Sequence, residues 1–205
     1  MNASSTHHTQ TGWPTSGVLA DALLPSSRAM DAVLVLGGVL LVAAAAQVQL
    51  PLGFTPVPIS GQTFGVALVG AGLGARRGAL SLLLYLAAGV VGMPFFSGGA
   101  AGASHLMAPT AGYLVGFIPA AALIGALCER RADRSPWRAF LAMQAGSLVV
   151  FTCGVTWLAI SLGVGPARAL ELGWLPFLPG DLIKTALAAG ILPAAWALLP
   201  RRPLA

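Results

Sequence analysis

Along this chain, long apolar runs alternate with short breaks of glycine, proline and charge. No Asp, Glu, Lys or Arg stands between Asp31 and Arg76, and none between Arg77 and Glu129. Inside those stretches the breaks fall at Gly and Pro, which predicts six helices at about 30–50, 59–75, 78–93, 110–128, 137–163 and 181–199. Nothing alternates with the two-residue period of barrel strands. A segment crossing lipid must satisfy its own backbone N–H and C=O groups, so each run is expected to be an α-helix. The second and third are short, and loops or neighbouring helices must complete their crossing. The expected fold class is an all-α membrane protein, a bundle of six transmembrane helices.

Composition supports this. Of 205 residues, 57% are hydrophobic and 8% charged, and the mean hydropathy is +0.83. A soluble domain carries about 25% charged residues, so an ordinary soluble globular enzyme is excluded, as is a disordered chain. Residues 29–200 are expected to form one membrane domain behind a polar, disordered tail over 1–28. The start of that tail lacks the apolar core of a secretory signal. His7 and His8 lie in it as solvated residues, because a metal centre needs more ligands at defined spacing. Cys128 and Cys153 are too few for a disulfide framework.

The net charge of +5 would suggest nucleic acid in a soluble protein. Here the basic residues lie between apolar runs, and no nucleic-acid partner is expected. With the N-terminus inside, nine arginines fall inside (Arg28, Arg76, Arg77, Arg130, Arg131, Arg134, Arg138, Arg201 and Arg202) and Arg168 alone outside. The positive-inside rule therefore predicts cytoplasmic N- and C-termini in the cell membrane. The outer connections, 51–60, 94–109 and 164–180, are rich in Pro, Gly and aromatics. Irregular backbone beside a membrane is tolerated where it lines a cavity, so these loops suggest a lid over an outward-facing pocket.

Catalytic and cofactor motifs are scarce. Gly70-x-Gly72-x-x-Ala75 has the look of a dinucleotide fingerprint but follows no strand; close helix packing explains it better, along with Gly61-xxx-Gly65 and Gly112-xxx-Gly116. There is no GxxxxGK[ST] loop, so ATP hydrolysis would have to come from partner subunits. No cofactor or metal is expected. Ser97 with His105 raises an intramembrane hydrolase as an alternative, although a nucleophile needs a base within hydrogen-bond reach. A stand-alone carrier for another small organic acid is a second alternative. The informative pair is Asp181 and Lys184, three residues apart on one helical face at the outer end of the sixth run. Ionisable groups at membrane depth are costly and face a cavity or each other; the bland reading is a helix cap and an outward-snorkelling lysine. Polar Gln62 falls at the same depth.

Pro56-Val57-Pro58-Ile59-Ser60-Gly61-Gln62-Thr63 resembles the P-V-P-x-T-x-Q-T segment of the BioY family, the biotin-binding S components of energy-coupling factor (ECF) transporters. Gly78-Ala79-Leu80-Ser81-x-x-x-Tyr85, Gly89-x-x-Gly92-Met93-Pro94-x-Phe96, Pro109-Thr110-x-Gly112-Tyr113-x-x-Gly116-Phe117 and Phe177-x-Pro179-Gly180-Asp181-x-x-Lys184 extend the similarity, in order, over about 30–200. Ser60 stands where Thr is common, and the loop after Phe96 has Gly98, Gly99, Ala100 and Ala101 where relatives often carry a polar residue, which brings His105 into view. The resemblance implies biotin uptake, not an enzymatic reaction, with a transmembrane coupling protein and ATPase subunits as partners. It implies Asp181, Lys184, Gln62, Tyr85, Ser60, Phe96 and His105 as ligand contacts, and Ala43, Ala44, Ala45 and Ala46 as the docking face for the coupling protein. Biotin fits these residue types. Its ureido ring offers two N–H donors and a carbonyl, its tail is a carboxylate, and its thioether ring suits walls such as Phe95, Phe96, Tyr85 and Trp174.

Overall fold

In a computed structural model the described residues are 17–24 and 27–198. His7, His8, Arg201 and Arg202 lie outside them. Helix α1 (Leu19–Leu23) precedes α2 (Arg28–Gln47), and a two-residue antiparallel pair follows, β1 (Gln49–Leu50) with β2 (Ile59–Ser60). Then come α3 (Gln62–Val90), α4 (Ala111–Glu129), α5 (Pro136–Leu162), the short α6 (Pro166–Gly173) and α7 (Leu178–Leu198). Short 3-10 turns lie at Ser97–Gly99, Ala103–Leu106, Ala132–Arg134 and Leu175–Phe177. Five helical stretches among the described residues are long and apolar enough to cross a membrane: α2, α3, α4, α5 and the Pro166–Leu198 stretch.

The second of these is not straight. Across 23 residues, a continuous helix would hold Gln62 and Tyr85 about 35 Å apart. Instead Gln62 Nε2 donates to the Tyr85 hydroxyl at 2.7 Å. The reversal is at Gly74, whose φ of 87° and ψ of 177° suit only glycine and leave the helix. Residues 62–73 and 75–90 are thus two antiparallel legs, so close that a Cβ on Gly78 would sit 3.2 Å from the Gly70 Cα. The turn is tied from α4, where Glu129 Oε1 accepts the Ala75 N–H at 2.8 Å and caps the second leg. The two short helices expected from the sequence are these legs, and the bundle has six long legs among the described residues.

Small residues set the helix spacing, as the glycine pairs predicted. A Cβ on Gly70 would lie 2.7 Å from the Ala121 carbonyl oxygen; Gly65 backs onto Val42 and Ala45, and Gly116 onto Val150 and Cys153. Two apolar clusters fill the interior. One is built around Val42, Val69, Leu82, Tyr85, Phe117 and Leu158, the other around Ala71, Ile124, Met143 and Leu192. The outer faces are apolar as well: Leu36, Leu40, Leu83, Leu148, Ile160 and Ile183 are exposed. A helix hydrophobic on every side belongs in lipid.

Two expectations change. The end of the segment expected to be a disordered tail is helical here: α1 buries Val18 and Ala20 against the bundle, and Asp21 binds Arg77 at 2.6 Å. The expected connection over 164–180 contains α6, started by Pro166 at its first turn and carrying an Arg168–Glu171 pair at 2.9 Å. The charged residues gather at one end of the bundle. Arg77 joins Asp21 and Asp31 there, and the buried Asp133 accepts from Trp196 Nε1 beneath the Arg134 guanidinium. The opposite end carries only Arg168, Glu171, Asp181 and Lys184 among the described residues.

Candidate functional site

That opposite end encloses a cavity of about 230 Å³. Its wall combines the β1–β2 hairpin, the first turn of α3, the 91–110 connection, the head of α4, the middle of α5 and the first turn of α7. The rings of Phe96, Tyr113, Phe117, Phe151 and Phe177 line it, with Val57 and Leu114 among the other apolar residues. Glycines seat two of them: a Cβ on Gly89 would overlap the Phe96 ring, and one on Gly154 the Tyr113 ring. The Tyr113 hydroxyl donates to the Gly173 carbonyl at 2.7 Å, which locks that ring between α4 and α6.

Asp181 and Lys184 lie on this wall. Helix α7 starts at Leu178 rather than 181, so Asp181 sits in its first turn, and it is only 5% exposed. The two side chains are not paired with each other. Ser147 Oγ donates to Asp181 Oδ1 at 3.0 Å, while Lys184 Nζ donates to the Ser60 carbonyl at 3.0 Å and to Thr63 Oγ1 at 2.8 Å. An ion pair would neutralise both groups internally; these neutral partners instead aim them and leave capacity for a ligand. The bland reading of a capping Asp with an outward-snorkelling Lys does not describe this geometry.

Of the seven residues expected to touch ligand, Asp181, Lys184, Gln62, Ser60, Phe96 and His105 line the cavity. Tyr85 does not. It is buried behind Gln62, its hydroxyl accepting from Gln62 Nε2 and donating to the Phe95 carbonyl at 3.0 Å. It positions Gln62, whose Oε1 accepts from Ser60 Oγ at 2.9 Å. Phe95 and Trp174 pack against the core without lining the cavity. The sequence reading passed over Tyr113, Phe117, Phe151, Thr63 and Gln49 on the wall, and Ser147 behind it. Tyr113 and Phe117, like Ser147 and Phe151, are four apart and share a helical face, so that spacing was the available signal.

The four alanines divide. Ala43 and Ala46 are buried inside the bundle, and Ala45 packs against Gly61 and Gly65; only Ala44 faces outward. A docking surface made of all four is therefore corrected to one at most centred on Ala44, because consecutive helical residues point in different directions. The hydrolase alternative also lacks its geometry. Ser97 Oγ donates to Gln49 Oε1 at 2.8 Å, and the His105 ring leans on Phe96 with centroids 5.5 Å apart.

The BioY family profile matches residues 16–201. The biotin transporter BioY of Rhizobium etli is 42% identical over 145 residues, covering 67% of this chain and 77% of that protein. The probable biotin transporter BioY of Pyrococcus horikoshii is 36% identical over 161 residues, covering 78% and 93%. The 2.1 Å crystal structure of the S-component for biotin from an ECF-type ABC transporter superposes with a TM-score of 0.78 at 24% identity, covering 86% of this chain and 97% of that one. This likeness is one of fold.

Proposed function

The chain belongs to the BioY family, and from that premise we propose that it captures biotin in the cavity as the substrate-binding subunit of an ECF-type transporter. The names of its relatives support the substrate. The observation that carries the reading is the pair Asp181 and Lys184, held in one apolar cavity by neutral partners rather than by each other. A buried carboxylate wants N–H donors and a buried ammonium wants an acceptor. Biotin brings both, on a body apolar enough for the Phe96, Tyr113 and Phe151 rings. Gln62 adds an amide, fixed by Ser60 and by Tyr85 from behind.

In this reading the six legs each cross the cytoplasmic membrane, both termini are cytoplasmic and the cavity opens outward. The gathering of Arg76, Arg77, Arg130, Arg131, Arg134 and Arg138 at the end away from the cavity supports that orientation. The outward face of α2 around Ala44 meets a transmembrane coupling protein, and ATPase subunits supply energy. Equilibrium binding of tritiated biotin to the purified, detergent-solubilised chain tests the proposal. Saturable one-to-one binding, competed by unlabelled biotin and not by a hydrophobic acid of similar size, is expected. Absence of saturable binding by monodisperse protein refutes it.

A further inference from the structure

Pro56, Val57 and Pro58 form part of the cavity wall, in the stretch that joins β1 to β2. Both prolines lack an N–H, so these residues cannot extend the two-residue ladder of the hairpin. Val57 carries the one N–H of the three, and it donates to Thr55 Oγ1 at 3.2 Å. The same hydroxyl donates to the carbonyl of Leu172 at 2.8 Å, a buried contact spanning 117 residues of chain. The Thr55 N–H donates to the Leu52 carbonyl at 3.3 Å and closes the turn that leads into the prolines. Thr55 itself is buried and does not line the cavity.

The end of α6 explains why the tie is made there. The last carbonyls of a helix have no partner within it. In α6 the Leu170 carbonyl accepts the Trp174 N–H at 3.0 Å, while the Leu172 and Gly173 carbonyls take hydroxyls from distant parts of the chain, those of Thr55 and Tyr113. One helix end thus anchors two separate pieces of the cavity wall, the proline stretch and the Tyr113 ring. Resting on the biotin reading, we propose that Thr55 is a positioning residue for biotin binding: it fastens residues 56–58 to the end of α6 and holds that part of the wall in its ligand-ready place. Without the hydroxyl, the Leu172 carbonyl and the Val57 N–H are left unpaired in a buried position, and the proline stretch loses its tie to α6. A wall that must be ordered as the ligand binds subtracts from affinity, and one that opens more readily shortens the stay of the ligand.

Thr55→Val keeps the shape of the side chain and removes the hydroxyl, whereas Thr55→Ser keeps the hydroxyl and drops the methyl group. Each purified variant is titrated with biotin, chased with unlabelled ligand after loading with tritiated biotin, and melted. Thr55→Val should lose about tenfold in affinity, most of it as faster dissociation, and Thr55→Ser should stay within about threefold of the unaltered chain. Thr55→Ala, which removes the hydroxyl without adding bulk, is expected to follow Thr55→Val and serves in its place if that variant does not fold. A lower melting temperature with unchanged affinity and dissociation per folded molecule would make Thr55 a structural residue and overturn the proposal. Equal losses in Thr55→Ser and Thr55→Val would overturn it too, since the methyl group and not the hydroxyl would then matter. Both outcomes leave biotin capture intact; failure of the unaltered chain to bind biotin removes the functional reading, and the role of Thr55 with it.

Discussion

Asp181→Asn separates ligand recognition from folding, because the substitution is isosteric and the structure shows what each oxygen does. Oδ1 accepts the Ser147 hydroxyl at 3.0 Å. An asparagine can keep its amide oxygen there, so the contact between α5 and α7 survives. The amide nitrogen then replaces Oδ2 and presents N–H donors to a ligand that also offers N–H donors. Loss of one hydrogen bond to a charged acceptor is worth about 1.5–3 kcal/mol, so biotin affinity should fall about 10- to 150-fold. Stability should not follow. Asp181 is 5% exposed, and removing a charge from so buried a position relieves a desolvation cost. The melting temperature should therefore hold or rise. Calorimetric titration and a melting curve on the same preparation read both quantities. Unchanged affinity in a folded variant would remove Asp181 from the site, and a loss of affinity matched by a large drop in melting temperature would make it a structural residue instead.

Three other tests address the rest of the molecule. Burial pushes the Asp133 carboxyl above its usual range, against the opposing pull of Trp196 and Arg134. The folded state then holds that proton more tightly than the unfolded chain, so stability is greatest below the ordinary carboxylate range and declines as pH rises through the folded value; melting curves against pH should show this slope, and Asp133→Asn should flatten it. Ala46→Leu should cost about 1–3 kcal/mol of stability by overpacking, since Ala46 is 0% exposed, whereas Ala44→Leu should leave melting and biotin binding intact and weaken assembly with the coupling protein, read by co-purification. In a chain lacking Cys128 and Cys153, a cysteine placed at 97–103 should react in intact cells with an impermeant thiol reagent, and one at 130–138 should not; the reverse pattern refutes the orientation.

Much of the fold was legible because the bilayer imposes one rule, that apolar runs become helices, and charge marks their ends. Helices α4 and α5 lie within a residue of their predicted bounds. The missed features depend on contacts between distant residues. The division into two legs was itself legible from Arg76 and Arg77, but not that the reversal falls at Gly74 or that the legs pack backbone to backbone at Gly70 and Gly78. Helix α1 forms because Val18 and Ala20 find the bundle and Asp21 finds Arg77, partners about 55 residues away in the chain. In the site, Asp181 and Lys184 stood out because charge is rare inside an apolar run. Tyr113, Phe117 and Phe151 did not, since an aromatic ring on a membrane helix looks the same whether it faces lipid, core or cavity. Tyr85 was misplaced for the converse reason: its hydroxyl marks it as functional, but the function is to hold Gln62.

The cavity floor has a consequence for release. Below Phe117, the inner half of the bundle is filled by Val69, Leu82, Ala120, Ala121 and Ile124, each no more than 2% exposed. The buried hydroxyl beside this layer, Ser81, is spent on the Val35 and Arg77 carbonyls at 3.1 and 2.9 Å. The helices are held at glycine and alanine contacts, such as Gly70 on the Ala121 carbonyl, where there is no side chain to rotate aside. Between the cavity and the charged end, therefore, these contacts are opened by a shift of whole helices rather than by a change of rotamer. Arg77 resists such a shift by joining α1, α2 and α3 through Asp21 and Asp31. The apolar packing that encloses the ligand is also what makes an outside source of work, such as the proposed coupling protein and ATPase subunits, the natural complement of this chain.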